Sequence, residues 1–447
     1  MPTPDRFPTG TVHVKSTDTL TAPGADPRVR DIVADVIADI RENGDDAVRR
    51  YSERFDAWTP DAFLLTPDQI AQAISRVTEQ TLADIDFVQD QVRTMAQRQR
   101  ESLQDFEIET FPGVRLGQKN IPISSSGAYV PGGRYPLLAS AHMTIVTAKI
   151  AGVDRVSAAT PPIDGTLPDA TIAAMHRAGA DEIRILGGVQ AVAALALGTE
   201  SIERVDLIAG PGNAFVAEAK RQLYGEVGID LFAGPTEVLI VADEWADPLT
   251  IAVDLLSQAE HGPDSPAVLI TTSESVARRV LDLVAELLPG MPTKDFAGRA
   301  WADHGEVHVV PTLAAAYTLA DRYAFEHVQV LTREPREALT TMQHYGALFL
   351  GEGTCVSYGD KTIGTNHVLP TRGAARYTGG LWVGKYLRTV TYQEVSDGAS
   401  STLLGEVTGR AARAERFEGH ARSGDLRAAR FGGRQHEWIP QDALVEP

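Results

Sequence analysis

One cysteine, Cys355, stands in a chain of 447 residues. No disulfide can form within the chain, so a reducing compartment is expected. Cys355 itself reads as a small buried filler rather than a nucleophile. Lysine is nearly as scarce. Seven lysines leave 34 of the 41 basic residues as arginine, against 60 acidic residues and a formal net charge of -19. A surface this acidic repels phosphate backbones and anionic lipid, which argues against nucleic acid and membranes as partners. Abundant acid with little lysine also suits a protein kept soluble in strong salt, where screening removes self-repulsion. No apolar run approaches the roughly 20 residues of a membrane-spanning helix. The start, Met1-Pro2-Thr3-Pro4-Asp5-Arg6, lacks a basic segment followed by an apolar one. No secretory signal is therefore expected, and a cytoplasmic location is. Neither a full G-x-G-x-x-G nor a Walker lysine motif occurs.

What is present is alternation. After a Pro, Thr and Asp-rich arm over 1–26, the pattern from Pro27 to about Gln104 is helical, with Val33, Val36, Ile37 and Ile40 at helix spacing. Thr66-Pro67-Asp68 supplies a helix start, with Thr66 as cap and Pro67 in the first turn. Strand-like runs then occur at 154–159, 182–186, 204–209 and 237–242, with Ala-rich helical segments at 166–178, 189–198 and 213–223 between them. A second series alternates from 247 to 350: helices at 247–260, 273–288, 312–320 and 336–343, strands at 266–271, 306–310, 328–332 and 347–350. Repetition of this kind predicts an α/β fold with two helix-covered parallel sheets. The expected division is a first α/β domain from 27–128 plus 237–377, an inserted second α/β domain at 129–236, and a C-terminal tail at 378–447 with one helix from Gly405 to Ala428. A length of 447 residues calls for more than one core.

Three glycine turns follow the ends of expected strands: Tyr129-Val130-Pro131-Gly132-Gly133-Arg134, Leu186-Gly187-Gly188-Val189-Gln190 and Ala209-Gly210-Pro211-Gly212-Asn213. Helix N-termini at such turns offer free N–H groups to anions. As a pattern, three ordinary strand–helix turns fit as well as a dinucleotide site does. Gln258 and His261 are three apart in a helical segment and so leave one face. An amide and an imidazole aimed together suit a metal that still needs a carboxylate and a second imidazole. Glu326-His327 sits at the head of an apolar strand, and Asp360 and His367 lie in a segment almost without periodicity.

The strings YVPGG, AGPGNAFVAEAK, AGPTEVL, DLLSQAEHGPDS, FEH and GDKTIGTNHVLPT, in that order, resemble the histidinol dehydrogenase family over roughly residues 27–430. The resemblance implies two Rossmann-like domains and a homodimer in which the C-terminal tail is exchanged to the partner's site. It implies one Zn2+ per subunit and two successive NAD-dependent oxidations, taking a primary alcohol through an aldehyde to a carboxylate. Carried over by position, Gln258, His261, Asp360 and His420 are its zinc ligands, Glu326 and His327 its acid–base pair, and Tyr129, Gln190 and Asn213 its NAD contacts. Thr236, Glu415 and His367 fall on substrate-contact positions shared with Gln258, His261, His327 and Asp360. The tail departs from the family string E-G-L-x-A-H: Glu415-Arg416-Phe417-Glu418-Gly419-His420 keeps the outer Glu and His.

Other departures fall near the substrate. The family's P-E-H-L-E becomes Phe325-Glu326-His327-Val328-Gln329, losing a carboxylate at 329, while Arg134 follows the glycine pair and His142 stands where small or apolar residues are usual. An acid lost and a cation gained point to a small anionic alcohol, since arginine offers paired donors to oxyanions. These features resemble the branch of the family that oxidises 2,3-dihydroxypropane-1-sulfonate to 3-sulfolactate. L-Histidinol is the alternative substrate, and a non-catalytic NAD- or metabolite-binding relative is the alternative of another class.

Overall fold

The computed structural model describes residues 7–16, 27–132, 136–440 and 444. The chain splits into two compact units, one of residues 1–100 and 123–386, the other of 101–122 and 387–447.

The larger unit contains both parallel sheets. The five-stranded sheet runs in the order Glu182–Ile185, Arg155–Thr160, Ser125–Tyr129, Leu207–Ala209, Gly228–Ile229, with every pairing parallel. The six-stranded sheet runs Val12–Lys15, Gly305–Val309, Ala267–Thr271, Val238–Ala242, His327–Leu331, Ala347–Leu350. Its last five strands are parallel, and Val12–Lys15 adds an antiparallel edge. Helices cover both faces of the central strands, so Val238–Ala242 and Ala267–Thr271 are buried at every position. That double burial is why they read as unbroken apolar runs rather than alternating ones. The mixed α/β architecture with parallel sheets is the expected one.

Four details differ from expectation. The helix Pro27–Asp56 packs on the helices Gly188–Leu197 and Ala214–Leu223 of the five-stranded layer, not with the second alternating series. An amphipathic stripe states that a face is buried, not against what. The five-stranded sheet begins at Ser125, upstream of the expected boundary at 129, because Ser125–Tyr129 is its central strand. Residues 12–15, expected within a loosely docked arm, pair antiparallel with the Gly305–Val309 edge, with a register shift between His13 and Lys15. A further helix, Lys294–His304, lies between the expected elements. The start of Pro67–Ser75 is as expected: Thr66 and Gln69 exchange reciprocal bonds with each other's backbone N–H.

In the smaller unit, Leu387–Val395, Val114–Pro122 and Phe106–Phe111 form a three-stranded antiparallel sheet. The hairpin 106–122 therefore belongs with the tail, not with the first α/β domain. The tail's expected single helix is two, Gly398–Ala414 and Glu418–Gly432, separated at Arg416, whose φ is 63°. The two helices pack where Gly405 meets the Gly424 carbonyl, an approach that a Cβ would block.

Candidate active site

Tyr129, Gln190 and Asn213, the residues expected to contact NAD, collect at the carboxyl ends of the five-stranded sheet, where open α/β sheets bind ligands. Tyr129 ends the central strand, and its buried hydroxyl accepts the Gly188 N–H at 3.0 Å. Gly210, with φ 127°, brings the next turn so close to the Tyr129 carbonyl that any side chain would collide with it. Gln190 sits in the first turn of Gly188–Leu197. Its amide nitrogen donates to Asp56 Oδ2 at 2.9 Å, while its buried Oε1 has no partner. An orphaned buried acceptor is costly and marks a place for a donor from a ligand. Asn213 caps the helix Ala214–Leu223, accepting from Phe215 N–H at 3.0 Å and Val216 N–H at 3.1 Å, which leaves its amide N–H2 group free. Burial drives the Asp56 carboxyl above its ordinary value, and drives Tyr129 up to about 12.

Glu326 and His327, the expected acid–base pair, lie instead at the amino ends of strands in the six-stranded sheet. Glu326 and His327 open the strand His327–Leu331, and the neighbouring strand is entered through Thr236 and Glu237. Thr236 Oγ1 donates to Glu326 Oε2 at 2.6 Å and accepts from Gln258 Nε2 at 2.6 Å, so one hydroxyl ties the carboxyl to the amide. The Glu237 N–H donates to the same Glu326 oxygen at 3.2 Å. His327 Nδ1 lies 3.1 Å from the Glu237 carbonyl. A carbonyl only accepts, so Nδ1 carries the proton and Nε2 is the basic atom. That Nε2 is buried, has no hydrogen-bond partner, and stands 3.8 Å from Asp360 Oδ1.

Electrostatics follow from burial. Glu326 is pushed well above the ordinary carboxylate range by desolvation, against the pull of Thr236, with Glu237 adding like charge. Glu237 is driven up to about 8 by burial, against the N–H groups of Glu326 and Arg372. Desolvation lowers His327 to about 4 despite the nearby Asp360. At neutral pH the imidazole is therefore a free base beside a carboxyl that resists ionisation. Opposed environments for adjacent titratable groups are the pattern of an acid–base pair.

His261, Asp360 and His367 complete the wall. The helix Pro248–Ala259 ends one residue after Gln258 and His261 lies just beyond it, not on the same helix face as expected. The His261 N–H still closes back on the Gln258 carbonyl at 3.2 Å, keeping the two side chains about a turn apart. His261 Nε2 is 3.9 Å from Asp360 Oδ2, too long for a hydrogen bond but close enough for one ion to bridge. His367 Nδ1 donates to the Asp360 carbonyl at 3.1 Å, leaving Nε2 at 3.5 Å from Ser140 Oγ. Among the described residues no three His, Cys, Asp or Glu side chains form a metal cage. One of the three candidate ligands here is an amide, and His420 belongs to the other unit. The donor set of amide oxygen, imidazole and carboxylate nevertheless suits a divalent ion. His420 and Glu415 are exposed on the helical pair of the smaller unit, beside the exposed ring of Phe417. Arg134 lies outside the described residues.

The family model for histidinol dehydrogenase matches residues 22–428. The chain belongs to the histidinol dehydrogenase family. A histidinol dehydrogenase homolog of Shouchella clausii is 56% identical over 405 residues, covering 91% of this chain and 95% of that one. The sulfopropanediol 3-dehydrogenase of Ruegeria pomeroyi is 43% identical over 424 residues, covering 94% and 97%. The crystal structure of histidinol dehydrogenase from Elizabethkingia anophelis superimposes with a TM-score of 0.85 at 32% identity, covering 92% of this chain and 94% of that one. Membership makes this an NAD-dependent dehydrogenase acting on CH–OH groups, in a family of four-electron oxidations. No described helix is long and apolar enough to cross a membrane.

Two participants, Glu237 and Asp56, are not apparent from residue patterns alone. Glu237 looks like the first residue of an apolar strand, although an acid heading a fully buried run is itself a signal. Asp56 comes from the end of a helix more than a hundred residues before its partner Gln190. His142, unusual at its position, lies in a π-helical turn, His142–Val146, and pairs with Gln89 at 3.1 Å. The Asn366 side chain donates to the Met143 carbonyl in that turn at 3.0 Å, docking the segment that carries His367. Burial lowers His142 to about 4, so it is neutral and adds no positive charge at neutral pH.

Proposed function

We propose that this enzyme oxidises a small anionic primary alcohol to its carboxylate through the aldehyde, with 2,3-dihydroxypropane-1-sulfonate going to 3-sulfolactate. The balance is RCH2OH + 2 NAD+ + H2O → RCOO− + 2 NADH + 3 H+. The observation that carries the two-step chemistry is the buried, partnerless Nε2 of His327 beside a carboxyl whose ionisation burial disfavours. Tyr129, Gln190 and Asn213 would hold NAD, the hydride acceptor. Gln258, His261 and Asp360, joined by His420 from a second copy of the chain, would hold one zinc ion per subunit, supplying Lewis acidity to the substrate oxygen without redox change.

His327 Nε2 accepts the hydroxyl proton in the first oxidation, its tautomer held by the Glu237 carbonyl. The aldehyde must then be hydrated. A carboxyl raised toward neutral is, once ionised, a stronger proton acceptor than an ordinary one, which suits Glu326 to take the proton from water. Thr236 keeps that carboxyl in place, and Thr236, His367 and Glu415 are assigned to the substrate. Exposure of Glu415 and His420 on one helical pair supports their use in a homodimer, each tail serving the other site.

The anionic substrate is supported by the 43% identity to a sulfopropanediol 3-dehydrogenase and by Arg134 and Gln329. Gln329 shares a strand face with His327, and its amide is bonded to Asp254 Oδ2 at 2.7 Å. A carboxylate there would face Asp254; the amide removes that charge from the His327 side of the strand. The second reading, L-histidinol, is favoured by the 56% identical relative named a histidinol dehydrogenase homolog. An NADH-release assay on both alcohols decides between them. The expected result is kcat/KM for the sulfonate about 100-fold above that for L-histidinol, the size of effect expected from one charge-assisted hydrogen bond made with the right substrate and missing with the wrong one. Preference for L-histidinol would reverse the assignment.

A further inference from the structure

The segment that follows His367 ends in an arginine that neither the family pattern nor the acid–base chemistry uses. Arg372 is fastened to the catalytic wall by its backbone: its N–H donates to Glu237 Oε1 at 3.1 Å, and that same oxygen accepts the Glu326 N–H at 3.3 Å. The preceding residue, Thr371, accepts the Gly234 N–H on its hydroxyl at 2.6 Å. The Arg372 side chain lies against Gly234, two residues before Thr236. A Cβ on Gly234 would collide with Nε, Cζ and Cδ of the arginine, so the absence of a side chain there makes the seat.

Two features of Arg372 bear on its use. Its φ is 56°, a left-handed conformation that disfavours every residue but glycine, and the next residue, Gly373, is left-handed as well. An arginine kept where glycine would relax the backbone points to a use for its side chain. In addition, the exposed guanidinium makes no hydrogen bond or ion pair among the described residues, although its charge is felt by the buried Glu237 carboxyl. Arg184 and Arg413, by contrast, are each paired with carboxylates. An unpaired guanidinium packed on the turn that delivers Thr236, in a protein of net charge -19, is a ready binder for an oxyanion.

We propose that Arg372 is the specificity-determining residue that binds the anionic group of the alcohol substrate, its guanidinium pairing with two oxygens of a sulfonate while the hydroxyl end lies against His327. The proposal rests on the reading that the substrate is an anionic alcohol. The test uses the full-length zinc-loaded enzyme with NAD and 2,3-dihydroxypropane-1-sulfonate. Arg372→Gly removes the side chain and relaxes the left-handed backbone, so it retains the fold; Arg372→Lys keeps the charge without the fork. Arg372→Gly raises KM for the sulfonate about 100-fold and changes kcat by less than about threefold. Arg372→Lys falls between it and the wild type, and KM for NAD does not move in either. Gly234→Ala, which pushes the guanidinium off its seat, reproduces part of the KM increase with the arginine still present.

An unchanged KM for the sulfonate in Arg372→Gly overturns the inference while leaving the substrate reading intact. An increase in KM for NAD of the same size overturns it too, since the guanidinium would then serve the cofactor. A wild type that turns over L-histidinol but not the sulfonate sinks the reading and this inference together.

Discussion

Replacing His327 by asparagine lowers kcat by about 10²–10⁴, the contribution of a positioned base, while zinc content and KM for NAD stay at their wild-type values. The asparagine amide can still donate to the Glu237 carbonyl as Nδ1 does, so the wall keeps its bonding and only the basic Nε2 is lost. The loss appears in single-turnover oxidation of the alcohol as well as in the steady state, because the first proton transfer already needs that atom. A kcat within tenfold of wild type would show that another group accepts the proton.

Glu326→Gln separates activity from stability. The glutamine oxygen can still accept from Thr236 Oγ1 and the Glu237 N–H, so the variant folds. Its turnover of the aldehyde falls by about 10²–10⁴ when the aldehyde is supplied directly, since the hydration base is gone. Its thermal stability moves the other way. The Glu326 carboxyl is raised in the folded protein above its ordinary 4.5, so the unfolded chain ionises first. The folded wild type is therefore progressively disfavoured as pH rises above about 4.5. The glutamine carries no such penalty. The difference in Tm between variant and wild type should be small near pH 4 and favour the variant at neutral pH. A variant less stable than the wild type at neutral pH would show that the carboxyl is ionised and paired in the native site.

The residues explain which parts of this architecture are legible in the sequence. The parallel strands of the six-stranded sheet, such as Val238–Ala242, which is buried on both faces, end within a residue of the apolar runs that announce them. Ser125–Tyr129, equally buried but made largely of serine, glycine and alanine, leaves no such run. The hairpin 106–122 leaves no such mark, because its first strand is exposed at nearly every position and exposed antiparallel edges carry little periodicity. The helix Pro27–Asp56 is legible as a helix but not in its layer, since its stripe of Val33, Val36, Ile37 and Ile40 would suit either sheet. Within the site, motif strings point to Glu326, His327, Gln258, His261 and Asp360. The bonds that set their behaviour run through Thr236 and the backbone of Glu237, and spacing cannot reveal such contacts. Arg372 stays hidden for a related reason: its meaning lies in a left-handed φ and in the bare surface of Gly234, neither of which a residue name states.

The most direct test of the central claim is a count of NADH formed per alcohol consumed, taken to completion with limiting 2,3-dihydroxypropane-1-sulfonate and zinc-loaded enzyme. Two NADH per alcohol, with 3-sulfolactate as the product and no aldehyde captured by a semicarbazide trap, is the predicted result. One NADH per alcohol with free aldehyde accumulating would contradict it.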